Sequence, residues 1–271
     1  DMEHVIDRDE LKKEYTTLDP KLQVMALKPG ELADPDGSSS ATVYTKGAWM
    51  LQWLEQTYGR DVFDPFLKGY FDHFAFQSIT TQQFLDYIKA NLVDKYPGKA
   101  TMAQIEAWIY SPGIPSFAPQ VQARPFVVVD TARTVWLQDG KLPAPQLTNA
   151  WSTQEWVHFV EGLPETLPQD RINQLDDAYH FTGTANGEIA MRWYPLTVRS
   201  GYVQARPEIA KFLERVGRRK LIMPTYNALV ATPDGLAFAK QVFAKAKPGY
   251  HPITTVSVEE TIAKAEKRDA T

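Results

Sequence analysis

Four side chains of this 271-residue chain suggest chemistry. Tyr44 supplies a phenol, a neutral hydrogen-bond donor that suits developing negative charge. Asp36 supplies a carboxylate eight residues earlier, and Arg218 and Lys220 supply positive charge within an Arg-Arg-Lys run. Residue type alone leaves simpler roles open. A tyrosine near a helix start commonly packs its ring, Asp-Pro-Asp-Gly is a common turn composition, and a basic run is commonly a solvated helix face.

The sequence lacks the patterns that hold a catalytic metal or thiol. It contains no cysteine, which removes disulfides, thiol nucleophiles and thiolate metal ligands. Its five histidines are scattered, no two stand at i and i+4, and none belongs to an H-E-x-x-H frame. These are His4, His73, His158, His180 and His251. We therefore predict no metal site within this sequence.

Charge and hydropathy bound the partners. With 33 acidic and 29 basic residues the net charge is −4, so no basic surface supports nucleic-acid binding. The longest aliphatic or aromatic run, residues 126–129, is far shorter than the roughly 20 residues that cross a bilayer. The sequence predicts no membrane-spanning segment. It favours a soluble, cytoplasmic protein and leaves a periplasmic or secreted location open.

Helices must position the candidate side chains in the first half of the chain. Residues 1–36 carry only weak periodicity and end in turn formers. Apolar residues within 49–54 and 62–74 recur with helical spacing and predict two adjacent amphipathic helices. Thr80 and Gln83 form a capping-box pattern that predicts a third helix, running to about residue 92. A fourth is predicted over 102–110, where prolines end it.

The second half of the sequence predicts consecutive helices. The segment 125–138 is ambiguous, since three valines favour a strand and its length favours a helix, and we choose the helix. Further helices are expected at about 152–162, 168–180, 185–200, 206–217, 219–231, 233–246 and 256–268. Short connections imply antiparallel neighbours stacked as in a helical solenoid. The predicted fold class is all-α.

Several sequence blocks, taken in order, resemble the C-terminal half of the zinc aminopeptidases related to leukotriene-A(4) hydrolase and aminopeptidase N, the gluzincin metallopeptidases. The blocks are Tyr-Thr-Lys-Gly at 44–47, Ser-Ile-Thr-Thr at 78–81, Ala-Trp-Ile-Tyr-Ser-Pro-Gly at 107–113, Glu188-Ile189 with Arg192-Trp193, Gly-Arg-Arg-Lys at 217–220 and His-Pro-Ile-Thr at 251–254. The resemblance implies that residues 1–117 form the C-terminal, helical part of a thermolysin-like catalytic domain. Residues 118–124 would be a Pro-rich linker, and residues 125–271 an armadillo/HEAT-like helical-repeat domain.

The resemblance also implies roles for the four side chains. The phenol of Tyr44 would donate a hydrogen bond to the oxyanion that forms on the scissile carbonyl. Asp36 would lie beside the substrate pocket, and Arg218 and Lys220 would receive the substrate carboxylate. The sequence departs from the family pattern around Tyr44, where Val43 and Thr45 replace the usual proline and glutamate. Ser39 stands where the hydrolase branch can carry a second tyrosine, so peptide hydrolysis is the expectation and epoxide chemistry is not.

The family holds zinc with an H-E-x-x-H helix and a later glutamate, and neither is present here. The resemblance thus implies zinc in a full-length parent whose N-terminal and zinc-binding domains are the missing partners of this chain. The parent would remove N-terminal residues from short peptides, and the chain alone would be inactive. The alternative from another functional class is a non-enzymatic helical-repeat scaffold that binds peptides or a protein partner.

Overall fold

A computed structural model describes residues 1–27, 41–120 and 122–269. In these ranges every regular element is a helix, which confirms the all-α fold class. The chain divides into two compact units, Asp1–Ala123 and Arg124–Thr271. Each unit has its own set of buried apolar side chains.

The described residues of the first unit form five α-helices. They are α1 (Met2–Tyr15), α2 (Gly47–Tyr58), α3 (Arg60–His73), α4 (Thr81–Ile88) and α5 (Met102–Tyr110). A π-helical turn, Thr42–Lys46, leads into α2, and a second one, Lys89–Val93, extends α4 to about its predicted end. The predicted capping box is confirmed, because the Gln83 N–H donates to Thr80 Oγ1 at 3.3 Å and the Thr80 N–H donates to Gln83 Oε1 at 2.8 Å.

Tryptophans fill the core of the first unit. The fully buried Trp108 lies with its ring centroid 6.2 Å from those of both Trp49 and Trp53. The Trp49 indole N–H donates to the carbonyl of Pro119 at 2.8 Å, and Ala118 belongs to the same core. The start of the predicted Pro-rich linker therefore packs on the first unit. The assignment of the two units to catalytic and repeat domains stays a prediction.

Helix α1 was not predicted from the sequence. Its buried side chains are Ile6, Arg8 and Leu11, and the guanidinium carbon of Arg8 lies 4.2 Å from the centroid of the Trp49 ring. Because an arginine occupies one of the three buried positions, the apolar period that marks a helix is weak there. The long aliphatic stem of an arginine covers apolar surface in place of a hydrophobic residue.

The second unit contains nine α-helices within the described residues. They are α6 (Arg124–Asp139), α7 (Pro145–Thr148), α8 (Thr153–Glu161), α9 (Gln169–Tyr179), α10 (Gly187–Arg199), α11 (Arg206–Arg215), α12 (Arg219–Leu229), α13 (Pro233–Ala246) and α14 (Pro252–Asp269). The choice of a helix for 125–138 is confirmed by α6. Pro125 lies in its first turn, where proline removes no helical hydrogen bond.

Helices of the second unit pack on the next helix but one. Along one row, α6 contacts α8, α8 contacts α10, α10 contacts α12, and α12 contacts α14, while α11 contacts α13 beside it. Stacking of alternate helices in two rows is the packing pattern of helical-repeat proteins, in agreement with the sequence prediction. The fully buried Trp193 and Tyr226 lie on α10 and α12.

Candidate functional site

Tyr44 lies on the π-helical turn that begins α2, and its side chain is exposed. The residue is 79% exposed in the described chain, next to Val43 at 44%. Backbone bonds fix the turn, since the Thr45 N–H donates to the Ala41 carbonyl at 2.8 Å. The phenol therefore points away from the core of its own unit and is available to groups outside it.

Lys46 lies two residues further and is fully buried, at 0% exposed. Its Nζ donates to the carbonyl oxygens of Gln23 at 3.0 Å and Ser111 at 2.6 Å. Burial lowers the pKa of Lys46 to about 8. Residues two apart on a helix do not face the same way, so Lys46 anchors the buried side of the turn and Tyr44 occupies the exposed side.

The carbonyls that Lys46 binds belong to two segments that also bind each other. The N–H groups of Met25 and Ala26 donate to the carbonyl of Ile109, at the end of α5, at 2.9 and 3.2 Å. The Gln23 side-chain amide donates to the carbonyls of Tyr15 and Leu18 at 3.1 and 2.8 Å. Residues 23–26 are thus fixed between α1 and α5, immediately before the segment that carries Asp36.

Asp36 and Ser39 lie outside the described residues. The expected place of Asp36 beside a substrate pocket therefore stays a prediction.

Arg218 and Lys220 lie at the start of α12 in the second unit. Arg218 is the N-cap residue of α12 and Lys220 follows in the first turn, and both are exposed. The loop before them is anchored from α14, because Thr254 Oγ1 donates to the carbonyl of Gly217 at 3.1 Å. Thr254 is 3% exposed, so this bond is protected from water. The basic pair is therefore presented on a fixed backbone.

Sequence blocks that lie far apart in the chain contact each other in pairs within each unit. In the first unit, the block at 44–47 meets the block at 107–113 through the bond from Lys46 to Ser111. In the second unit, the block at 217–220 meets the block at 251–254 through the bond from Thr254 to Gly217. In each unit, one block carries a candidate functional side chain and the other supports its backbone.

Lys46 is the residue of this region that sequence reasoning missed. A signal for it was present, because Lys46 precedes Trp49, Met50 and Trp53 at helical spacing and so stands on their buried face. A lysine on such a face needs polar partners, and those partners are backbone carbonyls that no residue type indicates.

The described residues do not offer a metal site. Among them no three His, Cys, Asp or Glu side chains come together in a way that would hold a metal ion. The residues present thus do not fit a zinc centre. No helix in the described ranges is both long enough and apolar enough to cross a membrane.

Two family models match this chain. Residues 5–107 match the model described as Peptidase family M1 domain, and residues 151–262 match the model described as Leukotriene A4 hydrolase, C-terminal. The chain is a portion of a protein of the leukotriene-A(4) hydrolase and aminopeptidase type, which confirms the resemblance.

Curated relatives carry aminopeptidase names. Leucine aminopeptidase 2 of Yarrowia lipolytica is 30% identical over an alignment of 266 residues, which covers 92% of this chain and 39% of the relative. Aminopeptidase B of Mus musculus is 27% identical over 260 residues, with 90% and 39% covered. The chain thus spans about two fifths of the length of these relatives.

Solved structures of yeast leukotriene-A(4) hydrolase share the fold. The complex with bestatin superposes with a TM-score of 0.77 at 23% identity, covering 96% of this chain and 46% of that one. The native enzyme from Saccharomyces cerevisiae gives a TM-score of 0.76 at 24% identity, covering 96% and 45%. The helical architecture of both units is therefore one already seen in solved proteins.

Proposed function

We propose that this chain is the C-terminal portion of a zinc-dependent aminopeptidase that removes N-terminal residues from short peptides. The proposal is supported by the aminopeptidase names of relatives that align with 90% or more of the chain. The observation that carries it is the environment of Tyr44, a phenol 79% exposed on a turn that is fixed from its buried side. Exposed aromatic side chains on rigid backbone suit recognition of a reacting group better than packing.

In this proposal, Tyr44 donates a hydrogen bond to the oxyanion that forms when the scissile carbonyl becomes tetrahedral. A neutral donor aimed at developing negative charge strengthens in the transition state more than in the ground state. Its contribution should therefore appear in kcat. The metal chemistry belongs to residues outside this chain, so the part we assign here is the phenol alone.

The basic pair would bind the other end of the peptide. Arg218 presents a planar guanidinium that can grip a carboxylate with two hydrogen bonds, and Lys220 adds a mobile point charge. In this proposal, the basic pair recognises a free C-terminal carboxylate, which a short peptide presents. Asp36 would border the substrate pocket and attract its positively charged amino end.

The full-length parent would supply what the chain lacks. Its N-terminal and zinc-binding domains are the expected partners, with zinc as the expected cofactor and the cytoplasm as the expected location. Nucleic acid is not among the expected ligands, since the chain has a net charge of −4.

The test is Tyr44→Phe in the full-length protein. We expect kcat to fall by roughly 100-fold to 1,000-fold with little change in KM, because the lost hydrogen bond belongs to the transition state. Steady-state kinetics with an aminoacyl anilide measures both constants. Tyr96→Phe is the matched control, since Tyr96 is a partly exposed tyrosine of the same unit, 37% exposed and packed against Tyr58. A Tyr44→Phe enzyme that keeps more than about half of the wild-type kcat would show that Tyr44 is structural.

A further inference from the structure

Lys46 is a buried cation that joins three segments of the first unit. It is 0% exposed, and among the described residues its hydrogen-bond partners are two neutral carbonyls, those of Gln23 and Ser111. Burying an ammonium without a counter-charge costs free energy, and apolar side chains of similar volume often replace buried charged groups with no loss of stability. A methionine or leucine would avoid that cost but would leave the carbonyls of Gln23 and Ser111 without this donor.

The Lys46 ammonium connects the turn that carries Tyr44 to two other segments of the first unit. The turn Thr42–Lys46 is buried at both ends, where Thr42 and Lys46 are 1% and 0% exposed, and its middle carries the exposed Val43 and Tyr44. The Lys46 ammonium joins this turn to the segment 23–26 and to the end of α5 through bonds of 3.0 and 2.6 Å. Those two segments are bonded to each other by Met25 and Ile109. Together with the buried Thr42, the Lys46 side chain thus holds the turn against two backbone segments that are bonded to each other.

We propose that Lys46 is the positioning residue of Tyr44. Its ammonium sets the placement of the turn, and the turn sets the placement of the phenol. The inference rests on the proposed oxyanion role of Tyr44. Lys46 does not contact substrate, since its side chain is fully buried and donates to the backbone carbonyls of Gln23 and Ser111. A catalytic group displaced by about 1 Å commonly loses on the order of 100-fold in rate, so a loose turn has a measurable cost.

The test is a double-mutant cycle in the full-length enzyme, with Tyr44→Phe and Lys46→Met. Methionine keeps much of the lysine volume and removes the donors. We expect Lys46→Met to lower kcat by about 10-fold to 100-fold, with KM within about twofold, when Tyr44 is present. In the Tyr44→Phe background the same change should alter kcat by less than about twofold, because no hydrogen bond remains to be misplaced.

Lys99→Met is the matched control. The Lys99 amine also donates to two backbone carbonyls of the first unit, those of Thr57 and Tyr58, at 3.4 and 3.3 Å. It lies at the other end of α2 from Tyr44. Lys99→Met should leave kcat unchanged in both the wild-type and the Tyr44→Phe enzyme. The comparison separates the general effect of removing a lysine bound to carbonyls from the specific effect of removing Lys46.

The outcomes are distinguishable. If Tyr44→Phe itself keeps the wild-type kcat, the proposed function fails and the inference falls with it. If Tyr44→Phe lowers kcat but Lys46→Met costs the same factor in both backgrounds, or nothing in either, the inference alone is overturned. Should Lys46→Met not fold, Lys46→Arg takes its place in the cycle. That variant keeps the charge but moves the donors, so the same background-dependent loss is expected and the same equal losses would refute it.

Discussion

Tyr44 and Lys46 lie two residues apart and have opposite environments, 79% and 0% exposed. The proposed chemistry needs both extremes. A phenol must reach a group that is not part of its own unit, and the backbone that carries it must not move when that group arrives. A buried ammonium bound to carbonyls supplies the second condition, and its burial costs folding free energy. The contribution of Lys46 can therefore be measured from the free energy of unfolding as well as from kcat.

The stability of the chain should show the titration of Lys46. Its pKa is about 8 in the folded state and near 10.5 when solvated. Between these values the unfolded chain binds more protons than the folded chain, so the contribution of this group to the free energy of unfolding rises with pH. Lys46→Met lacks this contribution. The difference in unfolding free energy between wild type and variant should therefore move in favour of wild type from about pH 8 to about pH 10.5.

Urea unfolding followed by tryptophan fluorescence measures this difference at several pH values. The other titrating groups, including the tyrosines, are common to both proteins and cancel in the comparison. Lys99→Met provides the reference, since Lys99 is exposed. A wild-type advantage that stays constant over the whole range would mean that Lys46 keeps an ordinary pKa in the folded chain.

Arg218 should distinguish substrates that have a carboxylate from those that have none. We propose that its guanidinium binds the C-terminal carboxylate of a short peptide. Arg218→Ala in the full-length enzyme should then lower kcat/KM for a free tripeptide, by an amount that corresponds to about 1.5–3 kcal/mol of lost binding free energy. An aminoacyl anilide has no carboxylate to lose, so its kcat/KM should hardly change. Arg219→Ala is the control, because Arg219 is an exposed neighbour that points elsewhere on α12.

Two results would contradict that assignment. Equal losses on the tripeptide and the anilide would mean that Arg218 acts through folding or general positioning. Unchanged rates on both would return the Arg-Arg-Lys run to the solvated-surface role that its composition favours.

At the scale of elements, the sequence predicted a helix well where an N-cap motif is followed by apolar residues at helical spacing. Helix α5 spans Met102–Tyr110 as predicted, between a capping box at Thr101 and the prolines that follow Ser111. Helix α1 was missed because Arg8 interrupts its buried face. The same limit applies to the candidate site. Tyr44 and Arg218 were proposed from blocks of sequence and their roles stay predictions, whereas the contacts beside them, from Lys46 and Thr254, join residues far apart in the chain.

The junction of α12 and α13 depends on a glycine. A Cβ built on Gly235 would lie 2.1 Å from the carbonyl oxygen of Leu229, while the Gly235 N–H donates to Thr232 Oγ1 at 3.2 Å. Alanine normally stabilises a helix relative to glycine by about 1 kcal/mol. Here the clash with backbone should dominate, so Gly235→Ala should lower the free energy of unfolding by about 1–3 kcal/mol, as overpacking does.

Thermal unfolding of the two variants Gly235→Ala and Gly249→Ala decides this point. Gly249 lies in the same unit and would place a Cβ with no atom within 4 Å, so its variant should retain the wild-type Tm. If Gly235→Ala melts at or above the wild-type Tm, the backbones of α12 and α13 adjust more easily than their close approach suggests.

At the scale of the whole molecule, the two units divide the proposed task. The first carries the phenol and the second the basic pair, and each side chain is supported by contacts within its own unit. The chain covers 39% of the Yarrowia lipolytica relative, and no three candidate zinc ligands come together among its described residues, so the proposed function assigns the zinc ligands and general base to residues outside this chain. The absence of H-E-x-x-H could be read from the sequence because that motif is a local pattern, whereas the division of the task between the units stays a prediction.

The purified 271-residue chain should therefore bind no stoichiometric zinc and hydrolyse no aminoacyl anilide. The reason is physical: a tightly held zinc needs at least three protein ligands in tetrahedral geometry, and no group of three candidate ligands comes together among the described residues. Elemental analysis after dialysis against a weak chelator measures the metal, and anilide turnover with added zinc measures the activity. The full-length parent, treated in the same way, is the positive control and should retain about one zinc per chain with chelator-sensitive turnover. About one tightly bound zinc on the 271-residue chain, or turnover that a strong chelator abolishes, would show that the chain builds a metal centre of its own. Either result would overturn the proposal that the zinc ligands lie outside this chain.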